Sequence, residues 1–110
     1  MKRTILAAAL VTALAAALPA LAASPVYKGT VGPGFTISMA SKPTKAGTVK
    51  LVIADKANNH NFHLTGPGVN VTTTVPFVGV KTFNVTLKKG TYKFVCDPHA
   101  SFMKGSFTIN

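Results

Sequence analysis

The sequence predicts an all-β fold, an antiparallel sandwich or barrel of about seven to eight short strands. β-Prone runs recur along the chain after residue 25, segments with glycine and proline separate them, and none has the periodicity of a helix. The candidate strands are 26–31, 35–39, 48–54, 61–65, 69–73, 82–87, 91–96 and 104–109. The intervening turn signals are GPG at 32–34, SKPTKAG at 41–47, DKANN at 55–59, GPG at 66–68 and KKG at 88–90.

The N-terminal segment 1–22 has the layout of a secretory signal peptide. Two cations, Lys2 and Arg3, precede an alanine-rich apolar run that Pro19 interrupts, and small residues follow. An uncleaved membrane anchor is the alternative, because no charged residue lies between Arg3 and Lys28. The proline falls where a cleavage region should begin, so we expect export to the periplasm or cell exterior without stable membrane insertion.

The remaining segment, 23–110, has room for one small domain and is strongly basic. Of the 12 lysines and arginines, Lys2 and Arg3 belong to the signal, which leaves ten lysines, two aspartates and a formal charge of +8. So small a core usually benefits from a disulfide or a metal ion. The single cysteine rules out an internal disulfide and therefore makes a metal ion the more interesting possibility.

One short segment, FVCDPHASFMKG at 94–105, holds that cysteine. Its ligand-type side chains, Cys96, His99 and Met103, are spaced Cys-x2-His-x3-Met, and the alternation of the preceding strand places Cys96 on the core side. A thiolate, an imidazole and a thioether together favour copper, because Cu(I) prefers sulfur and Cu(II) accepts nitrogen. A complete site of this kind needs a second histidine from elsewhere in the chain.

The segment NNHNFHL offers two candidates for the second histidine, His60 and His63. Alternate side chains of a strand share a face, so His60 would point inward together with Phe62 and Leu64. If His63 were the ligand, Asn61 and Thr65 would instead point inward with it. The apolar arrangement favours His60, and His63 stays open as the alternative, because a bulge or a strand end can break the alternation.

These two segments, GTYKFVCDPHASFMKG and HNFHL, resemble the small blue-copper proteins of the cupredoxin family, especially its plastocyanin-like and amicyanin-like members. The resemblance implies a cupredoxin-like Greek-key β-sandwich with one mononuclear type 1 copper ion. It implies His60, Cys96 and His99 as the strong trigonal ligands and Met103 as the weak axial ligand. Three residues separate His99 from Met103, a spacing that differs from some members of the family.

The function that the resemblance implies is the transfer of single electrons, without enzymatic activity. One cysteine is too few for a binuclear thiolate-bridged centre, three histidines are too few for an additional trinuclear cluster, and Asp55 and Asp97 are the only acids. A copper sequestration or delivery protein of the cell envelope is the first alternative. A domain that binds zinc or no metal and serves adhesion or scaffolding is the second. Asn61 is expected to fix the ligand loop rather than to bind metal.

The expected partners are redox proteins with acidic surfaces, met by a monomer in transient complexes. The lysines would steer such partners, whereas nucleic acid is not expected, because the exported domain carries no arginine. A dry surface around His99 would let a partner approach the metal. The apolar patch is expected to contain Pro98, Ala100, Phe102, Pro33, Pro67 and Phe77.

Overall fold

The computed structural model describes residues 23–110, and the predicted signal peptide lies outside the described residues. The described residues form eight strands, and all eight predicted strands are recovered with ends displaced by three residues at most. They are β1 Val26–Val31, β2 Ile37–Met39, β3 Gly47–Asp55, β4 His63–Gly66, β5 Val69–Thr72, β6 Gly79–Leu87, β7 Gly90–Val95 and β8 Lys104–Ile109. In this part of the chain, no helix is long and apolar enough to span a membrane.

The strands form two four-stranded sheets, ordered β2-β1-β3-β6 and β5-β4-β7-β8. The expectation of purely antiparallel pairing is wrong at one place, because β1 and β3 pair in parallel, with Val26 opposite Lys50 and Val31 opposite Asp55. The cause is the edge strand β2, which turns the chain back along one side of β1. The chain then reverses once more and lies along the other side of β1, so β3 runs in the direction of β1. The sandwich is therefore mixed.

The core lies between the two sheets and follows the alternation in the sequence. In β6, Val85 and Leu87 are buried, whereas Thr82, Asn84 and Thr86 are exposed. Burial of an aliphatic side chain of this size contributes about 1.5–3 kcal/mol. Parallel stacking of two aromatic pairs fills the middle of the core: Phe62 on Phe94 with ring centroids 5.5 Å apart, and Tyr92 on Phe107 at 5.3 Å.

One end of the sandwich, called the site end below, gathers the loops 32–36, 56–62, 73–78 and 96–103. Gly32 illustrates how tightly these loops approach one another. Its φ is +70°, a conformation that favours glycine, and a Cβ atom there would lie 3.2 Å from Cδ2 of His60. A glycine at this position thus lets the loop after β1 cover the His60 ring.

Candidate metal centre

Three ligand atoms converge at the site end: Nδ1 of His60, Sγ of Cys96 and Nδ1 of His99. The two nitrogens are 3.2 Å apart, and the sulfur lies 3.7 Å from the nitrogen of His60 and 3.5 Å from that of His99. A triangle of this size admits one central ion at roughly the 2.0–2.3 Å bond lengths that nitrogen and sulfur make to such metals. The predicted group of one thiolate and two imidazoles is thus assembled from distant parts of the chain.

The backbone after β7 brings Cys96 and His99 together. Cys96 directly follows the last residue of β7, and its N–H donates to the carbonyl of Met103, 3.0 Å away. A 3-10 turn over Asp97–His99 then reverses the chain, with the N–H of His99 donating to the Cys96 carbonyl at 3.0 Å. Pro98 fits the first turn, where a backbone N–H has no helical acceptor. The turn therefore folds His99 back over the sulfur.

His60 lies in the loop before β4, not on the strand where the alternation placed it. Phe62 and Leu64 do point inward as predicted, but His60 and Asn61 are both buried, at 1% and 3% exposure, so the alternation fails before Phe62. The reason is that the loop is held by isolated hydrogen bonds instead of a strand ladder, among them one from the Thr73 backbone N–H to the Phe62 carbonyl at 2.9 Å. The Phe62 N–H donates to Oγ1 of Thr73 at 2.8 Å, which orients the chain that carries His60.

His63, the alternative ligand, does not reach the three converging atoms. Its ring lies on the outer side of β4, where Nδ1 contacts the Asp97 carboxylate at 3.0 Å and Nε2 contacts Oδ1 of Asn70 at 2.6 Å. About a quarter of its side chain, 26%, is exposed. The structure therefore brings His60, and not His63, to Cys96 and His99.

Met103 closes the ligand loop. Its N–H donates to the carbonyl of His99 at 2.9 Å, its carbonyl accepts the Cys96 N–H, and its side chain is buried at 1% exposure. These contacts tie the backbone of Met103 to both loop ligands, Cys96 and His99. Its role as axial ligand stays a prediction.

Asn61 ties the two ligand-bearing segments together, as predicted. Its Oδ1 accepts the backbone N–H of Asp97 at 2.7 Å, and its Nδ2 donates to the Asp97 carboxylate at 2.7 Å and to Oγ1 of Thr72 at 3.2 Å. One buried amide thus links β5, the His60 loop and the residue after Cys96. This link orients the segments that carry His60 and Cys96, although Asn61 itself is not expected to bind the ion.

Asp55 is a buried acid near the site, exposed by only 2%. Its Oδ1 accepts the Ala57 N–H at 3.1 Å, whereas its Oδ2 has no hydrogen-bond partner among the described residues. Burial raises the pKa of Asp55 above its ordinary value, although the Ala57 hydrogen bond and the charge of His60 act in the opposite direction. The side chain therefore places a carboxyl group with one open acceptor on the His60 side of the centre.

The apolar surface around His99 includes one residue that was not predicted and lacks one that was. Phe35, which was predicted to lie in a strand, packs edge-on against the rings of His99 and His60, with centroids 5.0 and 5.6 Å away. It also contacts Phe102 at 5.8 Å, and both phenylalanines are more than half exposed. Pro67 lies at the opposite end of the sandwich, where its carbonyl accepts the Tyr92 hydroxyl. The register of β4 explains this, because His63 and Gly66 occupy opposite ends of one strand.

The chemistry of this donor set fits copper. A thiolate with two imidazoles suits both oxidation states, and the buried position of Cys96 and His60 excludes water from two of the three donors. His99 is partly exposed and lies under Phe35. The arrangement can therefore hold an ion inside the protein while leaving one ligand near the surface.

Comparison with known proteins points the same way. Residues 30–110 match the family model described as copper binding proteins, plastocyanin/azurin family. A segment of 32 residues is 59% identical to plastocyanin A/B of Petroselinum crispum, but it covers 27% of this chain and only a third, 33%, of that protein.

Solved structures share the fold. Reduced rusticyanin matches with a TM-score of 0.60 at 24% identity, over 77% of this chain and 78% of that one. Reduced auracyanin from Roseiflexus castenholzii matches with a TM-score of 0.57 at 19% identity, over 80% of this chain and 98% of that one.

Proposed function

The chain belongs to the plastocyanin/azurin family of copper-binding proteins, and we propose that it is an exported, non-enzymatic carrier of single electrons. The predicted cupredoxin fold and the copper cofactor are confirmed by this membership. The observation that carries the proposal is the triangle of His60, Cys96 and His99 ligand atoms, with edges of 3.2–3.7 Å. Bound copper supplies the one-electron couple.

The residues around the triangle favour electron transfer because they keep the ligands in place. Changes of ligand position between oxidation states would add to the activation barrier, and here β7, β8 and the Asn61 hydrogen bonds restrain the loop from three sides. His99 offers the way out for the electron, since it is the partly exposed ligand. Phe35 and Phe102 cover it with an apolar surface that a partner can approach without trapped water.

The proposal is tested by the optical spectrum after addition of Cu(II). We expect one equivalent to produce an intense visible band from thiolate-to-copper charge transfer, reversible with ascorbate. His60→Ala should abolish or strongly weaken the band, because one of three strong ligands is lost. His63→Ala tests the alternative histidine and should retain an intense band, because all three strong ligands remain and the His63 ring lies away from the triangle.

Two results would contradict the proposal. A band that survives His60→Ala and disappears in His63→Ala would show that His63, and not His60, is the copper ligand. Transfer of copper to a chelator faster than electron exchange between protein molecules would instead assign the protein to copper delivery.

We further propose that the partners are redox proteins with acidic surfaces. The loops of the site end carry Asp97 and a single lysine, Lys56, while Lys104 lies just beyond Met103 at their border, so the docking face is mainly apolar with positive charge at its rim. Charges at a rim change the association rate more than the stability of a complex.

Charge reversal at this rim should slow the reaction with an acidic partner. We expect Lys56→Glu to reduce the second-order rate of electron transfer to an acidic redox protein by about threefold to tenfold at low salt, and added salt to remove the difference. Lys89→Glu is the matched control at the opposite end of the sandwich and should have a much smaller effect. Equal effects of the two variants, or rates independent of ionic strength, would contradict the steering proposal.

A further inference from the structure

The outer side of β4 carries a second polar cluster that the copper ligands do not use. His63 contacts both carboxylate oxygens of Asp97 through Nδ1, at 3.0 and 3.1 Å, and Oδ1 of Asn70 through Nε2, at 2.6 Å. Both ring nitrogens therefore face oxygen acceptors. A neutral imidazole has only one N–H, so this arrangement satisfies every partner only when the ring is doubly protonated.

Asp97 connects this ring to the ligand loop. It lies directly between Cys96 and Pro98 in the sequence, and its carboxylate receives hydrogen bonds from both His63 and Asn61. The first residue of the 3-10 turn is thus held from the side by an imidazole and from within by a buried amide. A change in the charge of His63 therefore affects the ligand loop through its contact with Asp97.

The neighbours of His63 also favour the doubly protonated form of its ring. Hydrogen bonds to Asp97 and to Asn70, together with the Asp97 charge, raise the pKa of His63 above 6.5 against the opposing effect of burial. Burial alone would raise the pKa of Asp97, but the hydrogen bonds from Asn61 and His63 and the charge of His63 lower it below 3.8. Among the neighbouring strands, β5 has no charged side chain, β7 contributes Lys93, and β8 contributes Lys104.

We propose that His63 is a positioning residue for the copper-ligand loop, acting through Asp97, and that its proton makes the reduction potential of the centre depend on pH. The inference rests on the proposed electron-transfer function. Below the pKa of His63 in the folded protein, the imidazolium fixes Asp97 and adds one positive charge beside the centre. That charge favours Cu(I) over Cu(II) and raises the potential.

As the pH rises through this raised pKa, the ring loses one proton to solvent and one of its two acceptors loses a donor. The stabilisation from the raised pKa of His63 is complete below about pH 6.5 and is lost as the pH rises through that raised pKa. The stabilisation from the lowered pKa of Asp97 is complete above about pH 3.8 and is lost as the pH falls through that lowered pKa, so the pair stabilises the fold fully only between these two values. Linkage is reciprocal, so reduction of the centre must strengthen proton binding at His63. When the pH is near the pKa of His63, reduction of the centre is therefore accompanied by the uptake of a proton from solvent in a fraction of the molecules.

The test is the potential of the copper-loaded protein as a function of pH. We expect the potential to fall as His63 loses its proton, and NMR to show a proton affinity at His63 about fivefold higher in the Cu(I) form than in the oxidised form. His63→Gln should make this part of the profile flat. His63→Lys should restore a high potential in the same interval, because it carries a charge without the imidazole titration. Lys93→Gln, which removes a charge from the same sheet face without a contact to Asp97, should retain the wild-type profile.

A profile unchanged by His63→Gln would overturn the inference while leaving the electron-carrier proposal intact. The copper-free protein provides an independent readout. There, Asp97→Asn should lower the pKa of His63 in an NMR titration, and an unchanged pKa would show that the pair does not hold the loop. Failure of the wild type to form a redox-active copper centre would instead count against the proposed function, and the copper-free titration would still decide whether His63 and Asp97 act together.

Discussion

Gly105→Ala is expected to destabilise the folded protein by about 3 kcal/mol or more, at the upper end of what overpacking of a core costs. Gly105 lies opposite Phe94 in the pairing of β7 with β8. A Cβ atom there would come within 2.2 Å of Cζ and 2.5 Å of Cε2 of the Phe94 ring. That ring is 2% exposed and stacked on Phe62, so it cannot rotate away without moving its neighbours.

The matched control for this variant is Gly34→Ala, because a Cβ atom at Gly34 would meet nothing within 4 Å. Urea unfolding of the copper-free proteins measures both free energies. The control should remain within about 0.5 kcal/mol of wild type. An equal midpoint for Gly105→Ala and wild type would mean that Phe94 is loosely packed. The stack that supports the strand leading to Cys96 would then not be rigid.

Much of the fold could be predicted because each sheet has one buried face and one solvent-exposed face, which produces alternating apolar and polar residues along a strand. Alternation is clear at the end of β6, where Val85 and Leu87 are buried, and in the middle of β7, where Tyr92 and Phe94 are buried. The parallel pairing of β1 and β3 could not be predicted in this way, because alternation reports which face is buried and carries no information about the direction of a neighbour. Only the path of the chain around β2 determines that direction.

The site was predictable where its ligands are close in sequence. Cys96, His99 and Met103 share one loop, so their spacing alone indicates a metal. Strand alternation favoured His60 over His63, and the structure places His60 beside Cys96 and His99. The alternation holds for Phe62, however, and not for the loop in which His60 lies. Phe35 was missed because its contact with His99 depends on the packing of two loops from different sheets, which no local pattern records.

Replacing Cys96 by alanine is expected to separate the structural role of this residue from its role in copper binding. The side chain is fully buried within the core, where a free cysteine acts as a small hydrophobic group. Its truncation should cost the copper-free protein only about 1 kcal/mol, comparable to the loss of one or two methylene-sized groups. The hydrogen bond from the Cys96 backbone to Met103 does not depend on the side chain and should persist.

In the presence of copper the difference should become large. A ligand that binds only the folded state adds about 4 kcal/mol of stability when its concentration is a thousand times its dissociation constant. The wild-type protein should gain stability of this order with Cu(I), because its thiolate and two imidazoles already lie within 3.7 Å of one another. Cys96→Ala should gain far less and show no intense visible band with Cu(II). If both proteins gained equally, copper would bind elsewhere, and the convergence of these three side chains would have to be explained by core packing alone.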